Sequence, residues 1–316
     1  MSEVVVAEKA VPQESPKPEE KKALRFAYYP GCSLTTSAKD YNMSVIEVAK
    51  ALGLELEELE DWSCCGATAA YSVNYLLSLA LPARNLALAE AKGLDIVTPC
   101  PECYYRLWAT HDSMGEDSKI LEKVNKAMDG TGLKCAGSVD VKHILDVLVN
   151  GVGMEAIAKK VVRPLKGLKV VPYYGCIIVK PPRKSRFDSP ENPTTMDRLI
   201  SALGAESIQW DSKTRCCGGP IMLTNEKAML NLSHDLLAKA KAAGAQAVVL
   251  PCQLCQLALD GKQTAMEEAF KEKIDMPVLY FTQLMGLAFG IEPKRLGLDK
   301  NLVSVDKLLK SIGISS

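Results

Sequence analysis

Eleven cysteines stand in this 316-residue chain, and ten of them fall into two sets of the same order. Each set is a lone cysteine, an adjacent pair before glycine, and a Cys-x-x-Cys. The first is Cys32, Cys64, Cys65, Cys100 and Cys103; the second is Cys176, Cys216, Cys217, Cys252 and Cys255. Thirty-four residues separate the pair from the Cys-x-x-Cys in both sets, whereas thirty-one separate the lone cysteine from the pair in one and thirty-nine in the other. The difference falls in "KPPRKSRFDSPENP" (180–193), which reads as a Pro-rich loop insertion. Adjacent cysteines are poor disulfide partners for each other, because the bond strains so short a loop. Cys-x-x-Cys is the common chelating pair, and two further thiolates complete what structural zinc or a cubane cluster needs. The fifth thiol exceeds that need. Neighbouring sulfurs, on Cα atoms about 3.8 Å apart, suit a more open cluster with a shared thiolate, or one ligand beside one exchangeable thiol. Gly66 and Gly218 let the backbone after each pair adopt positive φ or approach closely.

The elements that must position these thiols are also written twice. "LRFAYYPGC" (24–32) matches "LKVVPYYGC" (168–176), and "GLDIVTPCPECY" (93–104) matches "GAQAVVLPCQLCQ" (244–256). Short β-branched or aromatic runs at 24–29, 94–98, 168–174 and 245–250 are each followed by helical spacing. The helices "SAKDYNMSVIEVAKALG" (37–53) and "TTMDRLISALG" (194–204) both close on glycine. Strand–helix alternation predicts an α/β fold: two duplicated Rossmann-like parallel-sheet units related by a pseudo-twofold. We expect a disordered Pro/Glu/Lys-rich tail over 1–22, a first domain over 23–160 and a second over 166–316. The lone cysteine and the Cys-x-x-Cys follow strands directly, and the pair follows "LELEEL" (54–59) or "ESIQW" (206–210). Sites in parallel α/β sheets form at strand carboxyl ends, so three loops per half bring five thiols to one edge. Two such edges are then able to face each other.

Formal net charge is zero, which removes the electrostatic footprint of a nucleic-acid or anionic-membrane binder. No apolar run reaches membrane-helix length. The best candidate, 73–91, is interrupted by Pro82 and Arg84 and reads as a helix pair. The N-terminus has no signal-peptide core, so the expected location is cytoplasmic. In a reducing compartment eleven cysteines point to metal or redox chemistry rather than to a disulfide framework.

The doubled pattern Cys…Cys-Cys-Gly…Pro-Cys-x-x-Cys resembles the cysteine-rich CCG-domain family. Within it, "YYGCIIVKPPRKSRFDSPENPTTMDRLISALGAE" is similar to the B-type subunits of heterodisulfide reductases. The resemblance, over roughly 24–290, implies that each set of five cysteines binds one non-cubane 4Fe–4S cluster, two in all. It implies an oxidoreductase that reductively cleaves, or forms, a disulfide between the two clusters. It also implies two partners that supply the electrons, a ferredoxin-type C-type subunit and a flavin-containing A-type subunit. Two rivals stand beside it: a CCG-type electron-transfer component of a membrane-linked dehydrogenase, and a zinc-stabilised scaffold without catalysis.

Of the other residues, His143 aligns with Tyr280 after a strand and is the one candidate proton donor to a departing thiolate, against a packing or capping role. Cys135 lies outside both sets and reads as a buried free thiol. "GVGMEA" (151–156) fits a dinucleotide fingerprint in letters only, since it follows a helical run. Trp62 and Trp210, ahead of the pairs, read as walls between each sulfur set and water. His111 and His234 read as ordinary surface or core residues.

Overall fold

The structure, a computed structural model, describes residues 24–179 and 187–314. The tail expected over 1–22 and the first part of the insertion, 180–186, lie outside the described residues.

Among the described residues, eight strands form two four-stranded sheets of one topology. The first contains β1 (Arg25–Tyr28), β2 (Glu55–Glu58), β3 (Ile96–Thr98) and β4 (Val141–His143) in the order β2-β1-β3-β4. The second contains β5 (Lys169–Pro172), β6 (Glu206–Ser207), β7 (Ala247–Leu250) and β8 (Val278–Tyr280) in the order β6-β5-β7-β8. Every pairing is parallel. The inner strands are apolar and buried, as "IVT" and "AVVL" must be when helices cover both faces. β2, "ELEE", is a charged edge that discourages pairing with another chain. The architecture is thus the duplicated α/β one, and strand order reverses between β1 and β3 and between β5 and β7. That reversal opens a crevice at the strand carboxyl ends.

The helix Lys39–Leu52 ends on Gly53 in the left-handed conformation, φ 69°. Asp188 caps the start of Thr195–Ala202, accepting the N–H groups of Thr194 and Thr195. The segment expected to be a helix pair broken at Pro82 differs. Tyr75–Lys92 is one continuous helix through Pro82, preceded by Ala67–Val73, and the break falls at Asn74. Asn74 caps the longer helix by accepting the Leu77 N–H, while Pro82 is buried, so packing outweighs the hydrogen bond that proline forgoes. "GVGMEA" runs from a π-helical turn (Val147–Gly153) into the helix Met154–Lys160, not out of a strand. Among the described residues no helix is long and apolar enough to cross a membrane.

The halves meet through Lys39–Leu52 of the first and Phe281–Ala288 of the second. The buried hydroxyls of Ser44 and Thr282 share a hydrogen bond of 2.7 Å. Tyr41, fully buried, stacks on Tyr280 with ring centroids 4.1 Å apart and planes 2° from parallel. Its phenol donates to the Pro99 carbonyl at 3.3 Å, at the end of the β3 turn. Tyr41→Ala should therefore cost about 3–5 kcal/mol, the range for emptying a buried ring site. Tyr41→Phe should cost about 1 kcal/mol, the worth of one hydrogen bond. Denaturant unfolding of both variants checks this, and equal losses would mean that the ring stack does not join the halves.

Candidate functional site

All ten paired-set cysteines lie at strand carboxyl ends. Cys32 follows β1 in the short helix Gly31–Thr35, Cys64 and Cys65 follow β2, and Cys100 and Cys103 follow β3. Cys100 is the N-cap of the helix Pro101–Glu116, its sulfur accepting the Cys103 N–H at 3.4 Å. The second half repeats the arrangement after β5, β6 and β7. Every cysteine is a free thiol. In each half the buried member of the pair touches the second cysteine of Cys-x-x-Cys: Cys65 Sγ to Cys103 Sγ at 3.5 Å, and Cys217 Sγ to Cys255 Sγ at 3.4 Å. Cys64 interacts with Cys65 and Cys32, and Cys216 with Cys176 and Cys217, so five sulfurs form one string in each half. One end of each string is accessible, since Cys32, Cys64 and Cys216 are exposed.

Local devices hold these strings alike in both halves. Gly66 and Gly218 have φ of 82° and 79°, as the sequence anticipates, and their N–H groups donate to Cys64 and Cys216 at 3.4 and 3.3 Å. Gly31 and Gly175 escaped notice in the sequence. A Cβ at Gly31 would stand 2.9 Å from Cys103 Sγ, and one at Gly175 3.2 Å from Cys255 Sγ, in left-handed backbone that side chains resist. Tyr29 and Tyr173 were likewise missed, although the repeated Tyr before Gly-Cys was their signal. Their phenols donate to the carbonyls of Ser63 and Arg215, at 2.8 and 2.7 Å, and tie each Cys-Cys loop to the neighbouring strand. Burial, then the surrounding sulfurs, push both phenols far above their ordinary pKa. Trp62 and Trp210 stand edge-on to these tyrosines at 5.4 and 6.2 Å.

Other supports differ between the halves. Buried Asn85 grips Ser63 twice, donating to its carbonyl and accepting its N–H, each at 2.9 Å. The second half uses buried Lys213, whose ammonium donates to Asp197 at 2.8 Å, Gln209 at 3.0 Å and the Pro193 carbonyl at 3.1 Å. The Lys213 carbonyl accepts the N–H groups of Tyr174 and Gly175, joining the Cys176 turn to the turn that leads to Cys216.

The two sulfur edges meet. Gln253, between Cys252 and Cys255, donates its side-chain N–H to Cys100 Sγ of the other set at 2.8 Å. A cleft of about 430 Å³ opens beside this contact, lined by Ser33, Lys39, Gln253, Gln256, Tyr280 and Lys300 among others, and so by both halves.

His143 ends β4, fully buried. Its Nε2–H donates to the Pro99 carbonyl at 2.8 Å, and its Nδ1 accepts the Leu145 N–H at 3.1 Å. Both ring nitrogens are thus engaged by backbone, and the geometry is that of a cap which also holds the turn before Cys100. Cys135 is buried, its sulfur 3.6 Å from Glu90, and burial, then that carboxylate, push it up to about 12. His111 bonds the Gly137 carbonyl, and His234 pairs with Glu272 and stacks on Phe270.

Residues 26–107 and 170–260, which hold both cysteine strings, each match the profile of the cysteine-rich CCG domain. The chain belongs to that family. Over 283 residues it is 36% identical to the 8-methylmenaquinol:fumarate reductase membrane anchor subunit of Wolinella succinogenes, covering 90% of this chain and 98% of that one. Over 296 residues it is 30% identical to the B-type subunit of a ferredoxin/F420H2-dependent CoB–CoM heterodisulfide reductase of Methanosarcina acetivorans, covering 92% and 98%. The crystal structure of a hypothetical protein from Helicobacter pylori superposes with a TM-score of 0.71 at 15% identity, over 95% of this chain and 55% of the other; that likeness shows the fold.

Burial lowers the His143 pKa to about 3, so the folded chain keeps the ring neutral where the unfolded chain protonates it near 6.5. Its contribution to stability is present above 6.5 and is lost as pH falls toward 3. Between about pH 7 and pH 5 this amounts to about 2 kcal/mol, at about 1.4 kcal/mol per pH unit. His143→Gln should flatten that part of the profile in urea unfolding. Parallel profiles for the two proteins would show that the ring takes up a proton in the native state.

Proposed function

We propose that the chain is an iron–sulfur oxidoreductase subunit in which each string of five cysteines holds one non-cubane 4Fe–4S cluster. Cys32, Cys64, Cys65, Cys100 and Cys103 hold the first, and Cys176, Cys216, Cys217, Cys252 and Cys255 the second. In this reading the two act on one disulfide, taking up two electrons and two protons per pair of thiols released, or running in reverse.

The observation that carries the reading is the convergence of five free thiols in each half, with the two strings meeting at Gln253. The donor chemistry fits. Thiol–thiol hydrogen bonds of 3.4–3.5 Å and N–H groups aimed at sulfur describe a cage of thiols whose deprotonated forms could hold a cluster. A string of five suits a polynuclear group better than the four-donor tetrahedron of structural zinc. A cluster held there supplies one-electron transfer, and two together match the electron count of a disulfide.

The chain's own residues then do the rest. Tyr29, Tyr173, Gly31 and Gly175 fix the sulfurs, and the apolar core behind them excludes water. The cleft beside Gln253 offers hydroxyl, amide and ammonium groups from both halves to orient a polar substrate. Electrons arrive, in this reading, from the ferredoxin-type and flavin-containing components of a reductase complex. The Methanosarcina relative, named as one subunit of a ferredoxin/F420H2-dependent heterodisulfide reductase, supports a place in a multi-subunit reductase. The Wolinella relative, at higher identity, favours a second reading: the same paired centres pass electrons between a quinol and a reductase partner.

Anaerobically purified protein should contain about eight irons with matching acid-labile sulfide, taking about four per cluster. Stoichiometric zinc without sulfide would exclude both readings. With a viologen donor, the first reading expects a disulfide to yield two thiols; a chain reduced by menaquinol analogues that leaves disulfides intact would favour the second. Cys65→Ser and Cys217→Ser should leave the sheets folded, by circular dichroism, while altering or abolishing one cluster spectrum each and lowering thiol release at least tenfold. Unchanged spectra and full activity would make the second cysteine of each pair a bystander.

A further inference from the structure

The two strings are near copies in their backbone surroundings but not in what reaches them from the other half. Gly66 N–H to Cys64 is matched by Gly218 N–H to Cys216. Tyr29 is matched by Tyr173, and Cys65–Cys103 by Cys217–Cys255. Gln253 breaks the correspondence. Its N–H donates across the seam to Cys100 Sγ, whereas the residue at the same place in the first Cys-x-x-Cys is Pro101, with no donor on its side chain or its nitrogen. The first string therefore gains a side-chain hydrogen bond that the second cannot receive in return.

The direction of this bond follows from chemistry. A sulfur bound to iron carries no proton, so only the amide N–H, and not the amide oxygen, can face it. Gln253 Oε1 is buried without a hydrogen-bond partner among the described residues, so no other protein group competes for the amide's orientation. A hydrogen bond to a ligand sulfur draws charge from it and stabilises the reduced state, which raises reduction potential. Glu102 does not offset this selectively. It lies near sulfurs of both strings, Cys65 and Cys252, and is paired with Arg106 at 3.0 Å.

We propose that Gln253 is a tuning residue that makes the two centres unequal, so that the centre on Cys32, Cys64, Cys65, Cys100 and Cys103 has the higher potential and is reduced first. The inference rests on the reading that both strings hold iron–sulfur clusters. An unequal pair lets electrons enter in a fixed order, with the centre of the first half loaded before that of the second.

The test is a redox titration followed by electron paramagnetic resonance on the full chain, with the two signals assigned from Cys32→Ser and Cys176→Ser. In the wild type the signal lost in Cys32→Ser should develop at the higher potential. Gln253→Leu, which removes the donor, should move that signal to lower potential and leave the other in place. Gln253→Glu, which adds a negative charge as well, should move it further. Iron and sulfide contents equal to wild type show that the variants are loaded. If both signals shift together, if neither moves, or if the second-half centre is reduced first in the wild type, the proposal is overturned while the iron–sulfur reading stands. If the protein binds no iron and sulfide at all, the failure belongs to that reading.

Discussion

Thiols packed at contact distance can lose their protons together only if positive charge is set among them. Cys103 is pushed well up by its hydrogen bonds to Cys100 and Cys65 and then by burial, and Cys255 by Cys217, Cys252 and burial. Among the described residues, the buried or half-buried cations near the strings are already paired, though Arg106 also favours the Cys65 thiolate. Lys213 is committed to Asp197, and Arg106 spends its charge on Glu102 while lying over the rings of Tyr71 and Tyr105. Cys65 and Cys252 move the other way, lowered chiefly by the hydrogen bonds they receive from Cys103 and Cys255, so each string can ionise in part, while burying further like charges without a partner is costly. This constraint explains why the loops are held so firmly. A cage that must accept a charged group in one geometry has to keep its sulfurs close against their tendency to part.

The firmness comes from neutral hydrogen bonds and close packing. Tyr29 and Asn85 both bond the Ser63 carbonyl, which uses its two lone pairs to fix the residue before Cys64. The second half reaches the same end through Lys213 and Asp197, a buried ion pair whose remaining donors and acceptors are all engaged. A buried pair of this kind is no cheap source of stability, because desolvation offsets most of its attraction. Its value is geometric, since it fixes the turn before Cys176 and the strand before Cys216 at once.

Much of this frame is legible in the sequence because the signals are local. β-branched runs before Gly-Cys or Pro-Cys mark strand ends, and the constant spacing from pair to Cys-x-x-Cys marks the repeat. What the sequence conceals depends on contacts between distant segments. Pro82 looks like a break because a proline removes one helical hydrogen bond, yet its neighbours Leu79, Ala83 and Leu86 bury the same face and carry the helix through. The sequence leaves His143 open between a proton donor beside a reaction centre and a packing or capping ring. Only its contacts with Pro99 and Leu145, from another strand and the next turn, reveal a neutral cap. Gln253 looks like an arbitrary filler of Cys-x-x-Cys, and its partner stands 153 residues away.

Duplication does not make the two halves equivalent at the seam. His143 and Tyr280 occupy the same position, each ending the fourth strand of its sheet and pairing with the residue two before a Cys-x-x-Cys. Phe187, from the inserted loop, lies parallel to His143 with ring centroids 6.4 Å apart. Tyr280 instead receives Tyr41 from the opposite half and lines the cleft. Tyr41 and His143 then donate to the same Pro99 carbonyl, so one acceptor beside Cys100 is held by two rings at once. The first string is thereby the one clasped at the seam, through Tyr41 on the backbone and Gln253 on the sulfur. A repeat of two like cysteine strings has, through one stacked ring, one inserted loop and one amide, given them unlike surroundings.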